Sequence, residues 1–181
     1  IGTLGQVPDG TITLFDTVED VAALQFAVDA PLAFLTQTTL SVDDTAGIVA
    51  ALRARYPQIV GPKAEDICYA TSNRQAAVKT IAPECQLVLV IGAPNSSNSL
   101  RLVEVAERCG AQSRLVQRGA EIEADWLDGV SVLGLTAGAS APEELIQEVI
   151  SRIETLRDVQ IEQVVTAEEK MVFKLPRQLV D

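Results

Sequence analysis

The sequence predicts an α/β fold made of two small lobes, each with a mainly parallel sheet and flanking helices. A strand, a small polar turn and a helix follow one another three times, within residues 32–57, 86–110 and 130–156. Such units form parallel sheets with right-handed crossovers. The apolar run at 87–91 has the length and β-branching of a strand covered on both faces. A break in the pattern at 61–66 favours two lobes over one continuous sheet.

The first predicted lobe covers residues 1–63. Each of its two helices begins with a Ser or Thr three positions before an Asp, a spacing that places side-chain caps on the first turn. Pro57 ends the second helix because proline cannot continue one. The predicted elements are a strand at 11–15, a helix at 16–27 capped by Thr17 and Asp20, a strand at 32–35, a polar turn at 36–39 and a helix from Ser41 and Asp44 to Tyr56.

The second predicted lobe covers residues 64–156, and an extended tail follows at 157–181. The predicted elements are a helix beginning at a capping box of Ser72 and Gln75, the strand at 87–91, a helix that Gly110 ends, a strand at 113–116, a helix at 121–127, a strand at 130–135, a small polar turn at 136–140, and a helix capped by Ser140 and Glu143. In the tail, residues 171–175 alternate enough to form a strand or an extended arm.

The composition excludes several classes of function. The formal net charge of −11 disfavours nucleic acids and anionic membranes as partners, because both require clustered Lys and Arg. The absence of histidine excludes, within this chain, a His general base, a Ser-His-Asp triad and His-ligated zinc. No apolar run is long enough to cross a bilayer. Three cysteines without C-x-x-C spacing suit a reducing cytoplasm better than a disulfide framework.

The turn at residues 92–99 is the first candidate ligand site. It carries five consecutive Asn and Ser residues, Asn95 to Ser99, which is more than one helix cap needs. Free amides at a helix N-terminus, together with short hydroxyls and amides, can surround a phosphate or carboxylate without a buried positive charge. The alternative is a helix that is simply well capped.

Two further turns also follow predicted strands, at the end of the sheet where α/β proteins bind ligands. Thr36, Gln37, Thr38 and Thr39 form a hydroxyl-rich wall that favours a ligand-facing role, although threonine also has a high strand propensity. The residues at 136–140 are small enough for a ligand to approach the backbone, but small residues also allow a strand and a helix to pack closely.

Cys68 is the candidate reactive or metal-ligating thiol. It precedes a predicted helix, and a helix N-terminus favours the thiolate form that nucleophiles and iron-sulfur clusters require. The neighbouring acidic residues Glu65 and Asp66 argue against strong activation, and a buried structural cysteine is the alternative. Cys85 and Cys109 are predicted to be packing residues.

Four strings in order, TQTTLSVDD, DICYATSNRQ, NSSNS and TAGASAP, resemble the 4-hydroxy-3-methylbut-2-enyl diphosphate reductases of the LytB type. The resemblance implies an enzyme of non-mevalonate isoprenoid synthesis that reductively removes the substrate hydroxyl at an iron-sulfur cluster, giving isopentenyl and dimethylallyl diphosphates. It also implies an electron donor such as ferredoxin or flavodoxin, and a pseudo-symmetric fold of three lobes of which this chain corresponds to the last two.

The resemblance further implies roles for individual residues. Cys68 would be one of three cysteines that hold a 4Fe-4S cluster, and Thr38, beside Gln37, would contact the substrate hydroxyl and its proton relay. The diphosphate would be bound by Ser96, Asn98 and Ser140, with Ser97 close by.

The sequence also departs from the family. The first lobe, with two cluster cysteines, the active-site histidines and a proton-donating glutamate, has no counterpart here, and Cys85 and Cys109 do not occupy ligand positions. We therefore expect this chain alone to be catalytically incomplete. The competing hypothesis is a non-catalytic α/β module that binds a small anion such as phosphate.

Overall fold

A computed structural model describes residues 3–27, 29–62 and 66–168. The chain divides into two compact units, Ile1–Cys68 and Tyr69–Asp181. The boundary predicted from the sequence, between residues 63 and 64, lies shortly before this division. The predicted strand or arm at 171–175 falls outside the described residues.

The first unit contains two α-helices around a small apolar core. A short 3-10 helix, Thr3–Gln6, is followed by α1, Val18–Ala23, and α2, Val42–Arg55. The buried core residues are Val21, Phe34, Leu52 and Tyr56. Phe34 N–H donates to the Val60 carbonyl, and Val60 N–H donates to the Leu32 carbonyl, each at 2.9 Å. The chain segments before and after α2 therefore run parallel at one bridge, Ala33 with Val60.

Both predicted helix caps in this unit are confirmed, but both predicted strands are wrong. Thr17 and Asp20 form a complete capping box on α1, and the Ser41 side chain accepts from the Asp44 N–H at the start of α2. Residues 11–15 form no strand, and residues 32–35 contribute only a single bridge. α1 also ends four residues before the predicted helix does. An apolar run becomes a strand only where a neighbour supplies a hydrogen-bonding ladder, and among the described residues no such partner flanks 11–15.

The second unit is a three-stranded parallel sheet between helices. Its strands are β1, Leu87–Ile91, β2, Gln112–Val116, and β3, Leu133–Ala137, in the order β2-β1-β3. Its helices are α3, Tyr69–Ile81, α4, Ser97–Arg108, and α5, Glu143–Leu156. Its described residues also form short 3-10 helices at Ala82–Glu84, Gly119–Glu121 and Ala124–Leu127. The predicted α/β class with a parallel sheet and flanking helices is confirmed.

The central strand β1 is covered on both faces, as its sequence predicts. Val88 and Val90 pack against a cluster that α3 and α4 supply. Leu87, Leu89 and Ile91 pack against a second cluster that includes α5. Alternate side chains of a strand point to opposite faces, so this five-residue run joins the two cores.

Four element predictions in this unit need correction. α3 begins at Tyr69, so Ser72 lies inside its first turn instead of capping it. The helix predicted at 121–127 is replaced by 3-10 turns at Gly119–Glu121 and Ala124–Leu127. β3 lies later than predicted, because the Gln86 side-chain oxygen holds the Ser131 and Val132 N–H groups and the ladder with β1 begins at Leu133. Pro142, not Ser140, is the N-cap of α5.

Candidate functional site

The first candidate site lies in the second unit, at the carboxyl end of its sheet. β1 and β3 are parallel neighbours, so the loops that follow them leave the sheet side by side. Gly138 N–H donates to the Ile91 carbonyl at 2.8 Å, and this bond fixes the start of one loop against the end of β1. The turn is shorter than the predicted range 136–140, because Thr136 and Ala137 belong to β3.

Ser99 occupies a notch between two glycines, one in each loop. A β-carbon at Gly92 would lie 2.1 Å from Ser99 Oγ and 2.6 Å from Ser99 Cβ. A β-carbon at Gly138 would lie 2.3 Å from the same Oγ. A side chain at Gly92 would conflict with the Ser99 Cβ itself, whereas at Gly138 it would conflict with the Ser99 Oγ alone. Neither glycine has a positive φ. The structure thus brings the NSSNS and TAGAS strings together through one buried serine, which is 1 % exposed.

The N-terminus of α4 presents hydrogen-bond donors at this point. Ser96 is the N-cap, and its Oγ accepts from the Ser99 N–H at 3.3 Å and from the Ser99 hydroxyl at 3.0 Å. Ser97 and Asn98 hold the first two helical positions, where backbone N–H groups have no intrahelical acceptor. The helix dipole adds a partial positive charge at this end. These groups can bind an anion without a cationic side chain.

The Asn98 side chain is the most unusual group of the site. It is only 7 % exposed, and neither its Oδ1 nor its Nδ2 has a hydrogen-bond partner. Its Nδ2 faces the second loop, 3.6 Å from the position of a β-carbon on Gly138. A buried amide left unpaired costs about 1–3 kcal/mol. A bound group that accepts from Nδ2 would offset this cost.

Two predicted site residues lie at the surface of the same region. Ser97 and Ser140 are exposed. Ser140 does not cap α5, because the Ala141 N–H donates to the Gly138 carbonyl at 3.0 Å and closes a turn that contains Ser140. Its hydroxyl is consequently not used as a helix cap.

The second candidate site lies in the first unit and joins the TQTT string to Cys68. Cys68 N–H donates to the Thr38 carbonyl at 3.1 Å. The Asp66 carboxylate accepts from the Thr36 N–H at 2.7 Å and from the Thr36 hydroxyl at 3.3 Å. The side chains of Gln37, Thr38 and Cys68 are all exposed. The predicted catalytic residue and the predicted metal ligand are therefore neighbours on the surface of this unit.

The other two cysteines are packing residues, as predicted. Cys85 and Cys109 are half-buried against the apolar cluster of α3, α4 and β1. The Cys85 thiol donates to the Ile81 carbonyl at 3.2 Å. Burial, with a smaller contribution from the Glu84 carboxylate, raises the pKa of Cys85. A thiol held protonated in this way is a poor nucleophile and a poor metal ligand.

Sequence reasoning did not find the roles of two residues that hold these sites together, Ser99 and Asp66. Helical spacing could have found Ser99, because it falls on the same face as Leu102 and Ala106, both fully buried. A serine on that apolar face needs a partner. No comparable periodic signal marks Asp66, whose partner Thr36 is distant in sequence.

Comparison with known proteins assigns the chain to a family. The family model described as LytB protein matches residues 1–154. The chain belongs to the LytB family. The 4-hydroxy-3-methylbut-2-enyl diphosphate reductases of Hyphomonas neptunium and Roseobacter denitrificans are each 58 % identical to this LytB chain over 180 residues. In both alignments 99 % of this chain and 57 % of the relative are covered, so the chain spans about half the length of these relatives.

A solved LytB structure supports the fold. The E-1-hydroxy-2-methyl-but-2-enyl-4-diphosphate reductase from Plasmodium falciparum superposes with a TM-score of 0.72 at 36 % identity. The superposition covers 76 % of this chain and 43 % of the Plasmodium protein. The α/β class predicted from the sequence is therefore also that of a solved relative.

The donor set of this LytB chain does not by itself fit an iron-sulfur cluster. Within residues 3–27, 29–62 and 66–168, no group of three or more His, Cys, Asp or Glu side chains could hold a metal ion. Cys68 is exposed and could contribute one thiolate, whereas a cluster needs several.

None of the helices described is long and apolar enough to span a membrane.

Proposed function

We propose that this chain forms the diphosphate-binding part of a 4-hydroxy-3-methylbut-2-enyl diphosphate reductase. The reaction would be reductive removal of the substrate hydroxyl, giving isopentenyl and dimethylallyl diphosphates in the non-mevalonate pathway. The observation that carries this proposal is the buried, unpaired Asn98 amide at the N-terminus of α4. An anion-binding position is what a diphosphate substrate requires, and relatives of this chain carry that substrate in their names.

In this proposal the diphosphate is bound by groups from both loops of the second unit. Asn98 Nδ2 and the N–H groups of Ser97 and Asn98 would donate to one phosphate, together with the Ser96 hydroxyl. Ser140, with a side chain not used as a cap, would donate from the second loop. The net charge of −11 is compatible with this binding, because salt screens the repulsion from carboxylates farther away than about 10 Å.

Thr38 and Cys68 are the proposed reactive pair of the first unit. Cys68 would supply one ligand of the iron-sulfur cluster, and Thr38 would contact the substrate hydroxyl and take part in proton delivery. Their backbones are joined by one hydrogen bond, which supports a shared role. The chain has three cysteines and no histidine, and Cys85 and Cys109 are packing residues, so we expect the 181-residue chain alone to be inactive. The electrons would come from a donor such as ferredoxin or flavodoxin. The enzyme would work in a reducing cytoplasm.

A chimeric enzyme tests the proposal. The part of the Hyphomonas reductase that this chain does not match is fused to the chain and purified without oxygen. Iron, sulfide and turnover of 4-hydroxy-3-methylbut-2-enyl diphosphate are then measured with a chemical reductant. We expect an iron-containing, active chimera. The Cys68→Ser variant should lose iron and activity, whereas the matched Cys85→Ser variant should retain both, because Cys85 is a packing residue.

The chimera also separates the reductase from a non-catalytic anion-binding module. One observation favours the non-catalytic module: all the proposed anion donors belong to the second unit, whereas Cys68 belongs to the first. A folded chimera that binds pyrophosphate but neither holds iron nor turns over substrate, while the parent Hyphomonas enzyme does both, would contradict the reductase and support the module.

A further inference from the structure

We propose that Ser99 is a positioning residue, which turns the Ser96 hydroxyl toward the bound anion. This inference rests on the anion site proposed above. Ser96 Oγ receives two hydrogen bonds from a single residue, the Ser99 N–H at 3.3 Å and the Ser99 hydroxyl at 3.0 Å. Ser99 itself is 1 % exposed, so it acts on a ligand only through Ser96.

The hydrogen-bonding capacity of a hydroxyl explains the effect. A serine oxygen has two acceptor lone pairs and one proton to donate. With the Ser99 hydroxyl as the donor, Ser99 occupies both lone pairs of Ser96 and leaves the Ser96 proton as the group available to a ligand. The deprotonated oxygens of a phosphate group accept hydrogen bonds and do not donate them. The arrangement therefore holds Ser96 in the state that an anionic phosphate oxygen can use.

Ser99 is held in place by the sheet, which is why it can orient another group. Its Oγ lies in the notch between Gly92 and Gly138, where a methyl group on either glycine would approach within 2.3 Å. Its helix face also carries Leu102 and Ala106, both fully buried. Ser99 is thus enclosed by packed groups, which restricts the direction of its bond to Ser96. Through this serine the loop after β3 influences a donor in the loop after β1.

Pyrophosphate binding by the 181-residue chain tests this role. Inorganic pyrophosphate is titrated into ¹⁵N-labelled protein, and the dissociation constant is taken from amide chemical shifts. Ser96→Ala removes a donor to a charged ligand and should weaken binding about tenfold or more. Ser99→Ala leaves the Ser96 hydroxyl in place but unoriented, and should weaken binding by about three- to tenfold. The double variant should bind no more weakly than Ser96→Ala alone, because Ser99 acts through Ser96.

Ser113→Ala is the matched control. Ser113 is a half-buried serine of β2, in the same unit, whose hydroxyl donates to the Val88 carbonyl at 3.1 Å. Its removal should leave pyrophosphate affinity unchanged. Independent, multiplicative losses in the double variant, or normal affinity in Ser99→Ala, would overturn the positioning role while leaving the anion site intact. Failure of the unsubstituted chain to bind pyrophosphate would contradict the anion site itself, and this inference with it.

Discussion

Substitution of Gly92 by alanine should destabilise the second unit substantially. The new β-carbon would lie 2.1 Å from Ser99 Oγ and 2.6 Å from Ser99 Cβ, so Ser99 or the end of β1 must shift by roughly 1 Å. Forcing one carbon into a packed core costs about 1–3 kcal/mol. Displacing Ser99 also breaks its bond to Ser96, which adds about 1 kcal/mol. We expect a loss of about 2–4 kcal/mol in the free energy of unfolding.

Trp126 provides the assay. It is the sole tryptophan of the chain and packs against the apolar cluster of β1 and α5, so its fluorescence reports unfolding of the second unit. Urea titrations of the parent and of Gly92→Ala give the two free energies of unfolding. Because Gly92 has a negative φ, the cost contains no term for a left-handed backbone.

A compensating variant shows whether Ser99 is the cause of the loss. Ser99→Gly removes both atoms that the new methyl group would approach. In a double-mutant cycle, Gly92→Ala should cost at least about 1 kcal/mol less in the Ser99→Gly background. A Gly92→Ala protein within about 0.5 kcal/mol of the parent would refute the proposed steric conflict.

Three further predictions concern the cysteines and Asp66. At neutral pH iodoacetamide should label the exposed Cys68 well before Cys85, because burial and a raised pKa protect the Cys85 thiol. Mass spectrometry of partly labelled protein checks the order, and equal labelling of the two cysteines would contradict the prediction. Because the folded state holds the Cys85 proton more tightly, stability should fall as pH rises above the ordinary thiol pKa of 9.0, and urea titrations should show a smaller fall in Cys85→Ala. Asp66→Ala should speed hydrogen exchange at the Thr36 amide by about tenfold or more, because the amide loses its acceptor. Asp66→Asn keeps an acceptor and should change the exchange rate less. Unchanged exchange in the alanine variant would show that this bond does not protect the Thr36 amide.

Local patterns predicted those elements whose causes are local. The capping box of Thr17 and Asp20 and the buried run Leu87–Ile91 depend on neighbouring residues, and both occur as predicted. The start of β3 depends instead on Gln86, a residue distant in sequence that fixes where the ladder begins. Similarly, Ser140 is a residue type that often caps helices, but it lies in a turn closed by the hydrogen bond from the Ala141 N–H to the Gly138 carbonyl.

The candidate sites were predictable in composition but not in arrangement. The four polar strings are visible in the sequence, and the structure pairs them by unit: NSSNS with TAGAS, and TQTT with the segment that contains Cys68. The links themselves are single contacts between residues far apart in the chain, such as Thr36 with Asp66. Periodicity carries no information about contacts of this kind, because it reports local structure and these contacts join segments distant in sequence.

The strand order β2-β1-β3 also has a kinetic consequence. Leu87 pairs with Gln112 on one side and with Leu133 on the other, so the second pairing closes a much longer segment of chain. Longer loops cost more entropy to close, and contacts distant in sequence slow folding. We therefore expect β1, α4 and β2 to associate first and β3 to dock afterwards. Since Ser99 is enclosed only when Gly138 arrives with β3, we expect the notch to be completed late in the folding of this unit.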